Sequence, residues 1–153
     1  MPTTLVDSLI LMSSTQPDSA GIPGLGGLLK LTFASGLPGF PEVRAFEIVS
    51  LGKDLLPFAR LISTTHPGVA FTVVAPGLLF PDYSVEIDEE HQVALGISQP
   101  DESVTMVIVT VARPPIRPSV NLLGPIIANR HTGAAAQVVQ HRSNYAVAES
   151  LPA

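Results

Sequence analysis

The sequence predicts an all-β protein, a sandwich or barrel of short strands with one short helix, and three observations predict it. Fifteen prolines and twelve glycines punctuate the 153 residues, so long regular elements have no room between them. The intervening runs are short and rich in residues that favour strands. The chain is 46% hydrophobic and only 14% charged, enough apolar material for a single core in one domain of this length.

The strand candidates, in order, are Leu28–Phe33, Val43–Val49, Pro57–Ser63, Val69–Ala75, Val104–Ala112, Gly124–Asn129 and Ala135–Gln140. Several short strands separated by turn signals suit a sandwich or a barrel. Val104–Ala112 is almost continuous in Val, Ile, Met and Thr, the pattern of a central strand covered on both faces. Pro57 and Pro125 stand at strand starts, where a missing N–H does least harm. Asn129–Ala134 reads as the hairpin connection between the last two strands, with Gly133 available for positive φ. The single helix is expected after Asp88: that residue can cap it, Glu89 and Glu90 fall in its first turn, and Gly96 can end it. An acidic loop is the alternative. Residues 1–27 read as a flexible segment, with a Ser-, Pro- and Gly-rich linker at its end, and residues 148–153 as a tail.

Net charge is −5, which argues against direct binding of nucleic acid, since phosphate needs a cationic face. The acid is concentrated. No Lys or Arg occurs from Leu61 to Ala112, while Asp82, Glu86, Asp88, Glu89, Glu90, Asp101 and Glu102 all lie there. Beside them stand Leu78, Leu79, Phe80 and Tyr83. This is either a solvated acidic loop or an electrostatic docking surface next to an apolar patch. The chain has no cysteine, so thiolate metal sites and disulfides are excluded. His66, His91, His131 and His141 lack metal-ligand spacing, and no cofactor or metal is expected. "GIPGLGG" is not followed by the Lys-Ser/Thr of a phosphate loop, and no nucleophile elbow is present. The N-terminus is a poor signal peptide and the apolar runs are far shorter than a membrane span, so a soluble cytoplasmic protein is expected. Nothing here calls for catalysis. A binding module is the default, with two alternatives: a small barrel holding an apolar small molecule, and a hydrolase using Asp82, Asp88, Glu89 and Glu90.

Four stretches taken in series resemble one family. They are Leu31–Val49, Pro57–Ile87, Val104–Val111 and Asn121–Tyr145, and their most specific pieces are Gly36-Leu37-Pro38-Gly39-Phe40, Pro81-Asp82-Tyr83, and Asn121-Leu122-Leu123 followed by Pro125-Ile126. Together they resemble the flagellar assembly factor FliW family. The chain departs from the family pattern at Ile62, at Gly124 (usually Ala) and in the stretch after Tyr145. The resemblance implies a small β-barrel-like domain over residues 28–147 and a non-enzymatic role: binding flagellin monomers as a chaperone, and binding the RNA-binding regulator CsrA to relieve repression of flagellin translation.

On this reading Phe80, Pro81, Asp82, Tyr83, Asp88, Glu89 and Glu90 form a partner-facing edge, with Phe80 and Tyr83 as apolar anchors and the carboxylates speeding association with a basic partner. Gly36, Gly39, Asn121 and Pro125 are expected to be structural. The glycines would sit in a tight turn at positive φ, and Asn121 would bond backbone groups in an irregular loop.

Overall fold

The structure, a computed structural model, describes residues 8–11, 22–37 and 39–152. It contains β1 (Ser8–Leu11), β2 (Lys30–Phe33), β3 (Ala45–Ser50), β4 (Ala59–Ser63), β5 (Ala70–Val74), β6 (Val85–Asp88), α1 (Glu89–Leu95), β7 (Ser103–Thr110), β8 (Ser119–Val120), β9 (Ile126–Asn129), β10 (Ala134–Gln137) and β11 (Glu149–Ser150). Seven strands close into a barrel in the order β7-β5-β4-β3-β2-β10-β9, and β9 returns to β7. β10 and β2 pair in parallel, with Ala135 opposite Phe33. The other seams of the barrel are antiparallel. Closure removes the free edges that short strands would otherwise expose.

Alternation along the strands sorts the side chains into an inside and an outside. In β4, Ala59, Leu61 and Ser63 point inward while Arg60 and Ile62 point out. The interior is filled by side chains that are at most 5% exposed, among them Leu31, Phe33, Phe46, Leu61, Met106 and Ile126. Phe33 and Phe46 meet edge to face, ring centroids 5.5 Å apart.

A second apolar cluster lies outside the barrel, formed from the opposite faces of the same strands. Val107 and Val109 of β7 and Ile127 of β9 project into it, and Tyr83, Val85, Ile87, Leu95 and Ile97 cover them. β7 is therefore buried on both faces, as its uninterrupted run predicts: Val104 and Met106 face the barrel, Val107 and Val109 the outer layer. The cover is a two-stranded ribbon of β1 and β6 followed by α1. The ribbon is antiparallel, with Ser8 opposite Asp88 and Leu11 opposite Val85.

Two expectations about the ends require correction. Within residues 1–27, Ser8–Leu11 is a strand, and Ile22 and Leu25 are buried in the barrel core at 0% and 2% exposure. The domain therefore starts before residue 28. At the other end β11 pairs with β8, and Leu151 packs on the outer cluster and donates its N–H to the Pro118 carbonyl at 3.2 Å. Residues 148–151 are thus part of the fold and not a tail. Both strands pair with segments distant in sequence, Ser8–Leu11 with Val85–Asp88 and Glu149–Ser150 with Ser119–Val120.

Candidate functional site

The segment from Pro76 to Gly96 is built as a chain of turns, one strand and one helix, laid over the outer cluster. Pro76–Leu78 makes a single tight helical turn, and the Phe80 N–H bonds back to the Pro76 carbonyl at 2.8 Å. Tyr83 N–H then closes on the Phe80 carbonyl at 2.9 Å, turning the chain into β6. β6 ends at Asp88, which caps α1. Its Oδ1 accepts from the His91 backbone N–H at 2.8 Å and from the His91 ring Nδ1 at 2.7 Å. Gly96, at φ 69°, ends the helix in the left-handed region. Cap, first-turn carboxylates and stop all fall where the sequence places them.

The expected edge divides when it is seen in three dimensions. Pro81, Asp82, Asp88, Glu89 and Glu90 are exposed. Phe80 is half-buried against the outer cluster. Tyr83 is only 4% exposed, so it is not an apolar anchor on the surface, and that expectation is corrected. Its ring lies 4.5 Å from that of Tyr145, and its hydroxyl donates to the Leu122 carbonyl at 2.6 Å. Burial, with Tyr145 beside it, pushes the Tyr83 hydroxyl well above its ordinary range, so it stays a neutral donor. A Tyr between Asp and Ser in a turn carries no local sign of this. Its partners are tens of residues away.

The structure also supplies basic neighbours that the local sequence lacks. A polar groove of about 950 Å³ separates β6 from residues 139–145, and Glu86, Asp88, His141 and Arg142 line it. Arg142 Nη1 stands 3.8 Å from a Glu86 carboxylate oxygen. The Gln140 side chain bridges the same strand: its Oε1 accepts from the Glu86 N–H at 2.7 Å, and its Nε2 donates to the Glu86 carbonyl at 3.1 Å. One amide thus meets both backbone groups of Glu86 in β6. The Tyr145 hydroxyl accepts from the Ser84 N–H at 3.1 Å. Partial burial pushes the Asp88 carboxyl up, but the His91 N–H, the His91 ring and the nearby His141 outweigh it and hold the group below its ordinary value.

Further along, Glu102 is taken up locally. Its carboxylate accepts from the Ser98 hydroxyl and N–H and from the Gln99 N–H, and the two bonds from Ser98 are the main cause of its lowered pKa. The residues expected to be structural stand in turns and at the start of β9. Gly36 and Gly39 have φ of 67° and 84°. Asn121 Oδ1 accepts from the Gly124 N–H at 2.9 Å. Pro125 accepts the Val138 N–H at its carbonyl, 2.9 Å away, next to β9. Gly124 has its own reason. A Cβ there would come within 2.7 Å of Gln137 Nε2, which donates to the Gly124 carbonyl at 2.8 Å.

Comparison with known proteins places this architecture. A family model described as FliW protein matches residues 22–151. This chain belongs to the FliW family. The flagellar assembly factor FliW of Bacillus subtilis (strain 168) is 41% identical over 115 residues, covering 75% of this chain and 80% of that protein. The flagellar assembly factor FliW of Heliobacterium modesticaldum (strain ATCC 51547 / Ice1) is 36% identical over 122 residues, covering 79% and 78%. A crystal structure of the flagellar assembly factor FliW superposes with a TM-score of 0.73 at 30% identity, covering 79% of this chain and 84% of that one. The family match begins at Ile22, which is buried in the barrel core, and ends at Leu151, which packs on the outer cluster. Among the described residues no group of three or more His, Asp or Glu is placed to hold a metal ion, and no helix is long and apolar enough to cross a membrane.

Proposed function

We propose that this protein is a cytoplasmic flagellar assembly factor that acts by binding and not by catalysis. It holds flagellin subunits as a chaperone, and it binds the RNA-binding regulator CsrA, relieving repression of flagellin translation. The observation that carries this reading is the family match over residues 22–151, alongside relatives that are themselves flagellar assembly factors. The acidic edge supports the second partner. Asp82, Asp88, Glu89 and Glu90 are exposed around the start of α1, with Pro81 at the turn before β6 and Phe80 half-buried behind it. Carboxylates so placed attract a basic, RNA-binding surface and repel the phosphates that compete for it.

Isothermal titration of the protein with flagellin from the same organism tests the first part, with a one-to-one complex expected. Absence of binding at concentrations on the order of tens of micromolar would remove the chaperone role. For CsrA, the double change Glu89→Gln, Glu90→Gln should slow association and flatten its dependence on salt. Unchanged association rates would move the CsrA site off this edge.

A further inference from the structure

β1 and β6 form a two-stranded ribbon, and its two members are held in different ways. β6 is fixed at several places. Val85 and Ile87 pack into the outer cluster with Val107, Val109 and Ile127. The Gln140 side chain bonds the Glu86 N–H and C=O, and the Tyr145 hydroxyl bonds the Ser84 N–H. Asp88 then joins β6 to the cap of α1. Among the described residues β1 pairs with β6 alone, with α1 and the turn Pro100–Glu102 nearby. It also stands outside the family match, which begins at Ile22.

The ladder shows what β1 covers. In an antiparallel strand, successive residues turn their backbone groups to opposite sides. Glu86 turns its N–H and C=O to Gln140, so Val85 and Ile87 turn theirs to β1. Without β1 those groups are an open edge in extended geometry, able to take another strand in its place. By charge β1 is a poorly matched occupant. Ser8 stands opposite Asp88, with the exposed Glu89 and Glu90 next in the chain, and no Lys or Arg occurs before Lys30. An extended segment with a cation opposite Asp88 would gain an attraction that β1 does not supply. Ten residues join Leu11 to Ile22, so a detached β1 stays tethered and returns at high effective concentration.

We propose that β1 is a detachable strap on a strand-addition edge. It pairs with β6 in the free protein and gives way to an extended, basic segment of the partner that docks on the acidic edge. The proposal rests on the reading of that edge as a docking surface and adds what controls it.

Amide exchange of the full chain, read by NMR, tests the strap with no partner present. Val85, Glu86 and Ile87 are consecutive, but only the outer two face β1. If β1 leaves while β6 stays, protection at Val85 and Ile87 falls about tenfold or more below that at Glu86. Equal or greater protection at Val85 and Ile87 overturns the proposal, because the ribbon then opens as one piece or not at all.

Two variants tie the strap to docking, read as the association rate with CsrA. The chain has no cysteine, so Ile10→Cys with Glu86→Cys supplies a single pair. These positions stand opposite each other in a non-hydrogen-bonded pair, where Cα atoms are about 4.5 Å apart and within disulfide reach. Oxidation should slow association about tenfold or more relative to the reduced form of the same chain, a comparison in which the loss of Glu86 cancels. Leu9→Pro removes the ladder donor opposite Ile87 and should speed association. Equal rates in the oxidised and reduced forms, or no gain in Leu9→Pro, overturn the strap's control of docking. If wild type fails to bind CsrA, the docking reading falls and the strap's control of it falls too, while exchange at Val85 and Ile87 still decides whether β1 detaches.

Discussion

Gly36 and Gly39 share a turn and a positive φ, yet the structure assigns them unequal costs on substitution. At Gly39, φ 84°, an added Cβ meets nothing within 4 Å. Gly39→Ala therefore carries only the left-handed backbone term, about 1–2 kcal/mol. At Gly36, φ 67°, the added Cβ would come within 2.5 Å of the Phe40 carbonyl oxygen and 2.7 Å of that of Pro41. Those are backbone atoms in a turn already closed by the Phe40 N–H to Leu37 carbonyl bond of 2.8 Å, so they cannot swing aside as a side-chain tip would. Relieving such an overlap costs a further 1–3 kcal/mol or so. Gly36→Ala should thus destabilise by about 2–5 kcal/mol, roughly twice the effect of Gly39→Ala. In a domain of this size that is a fall in Tm of roughly 5–15 °C against roughly 3–6 °C. Urea unfolding of the two variants beside wild type, read by far-UV circular dichroism, measures the difference. Equal midpoints for the two would refute the reasoning, because the steric term would then be absent and only the shared φ would count.

Three further outcomes follow from single contacts. Tyr83→Phe removes the donor to the Leu122 carbonyl and should lower stability by about 1–2 kcal/mol by chemical denaturation, while flagellin and CsrA affinity stay unchanged because the ring is buried. Gln140→Leu leaves the Glu86 N–H and C=O without their side-chain partner; we expect a loss of about 2–3 kcal/mol and faster hydrogen exchange at the Glu86 amide. Asp88 and Glu102 titrate below their ordinary values of 3.8 and 4.5, so their contribution is complete above those values and disappears as pH falls through the lowered ones. Thermal melting from neutral pH down to about pH 3 should show Tm falling below about pH 4.5, and Asp88→Asn, which keeps a capping oxygen without the charge, should fall less steeply over that range.

What could be read from the sequence was what local chemistry decides. β4 and β7 are legible because alternation and β-branched runs need no knowledge of a partner. α1 is legible because Asp88, the two glutamates and Gly96 are cap, first turn and stop in the order a helix requires. β6 was not, since Val85 and Ile87 alone look like part of an acidic loop. They become a strand only by pairing with Ser8–Leu11, more than seventy residues away. β8 and β11 are two residues each, below any useful period. The same distance hid the burial of Tyr83 and the arrival of Arg142 beside Glu86.

The carboxylates of the acidic stretch are consequently not one population. Glu102 is spent on the turn before β7, Asp88 on the cap of α1, and Glu86 faces Arg142 across the polar groove. Removing Glu102 or Asp88 alters the fold as well as the field around it, and a binding defect in such a variant would have two explanations. Glu89 and Glu90 differ. They are exposed, and no ion pair or hydrogen bond of their side chains occurs among the described residues. What they give the fold is a favourable position at the positive end of a two-turn helix, worth about 0.3–1 kcal/mol each and screened by salt. Neutralising both leaves the cap, the ribbon and the outer cluster in place. Their charge is therefore the part of the segment that can be removed without disturbing its shape, which makes association kinetics of the double Gln variant a measure of electrostatic docking alone.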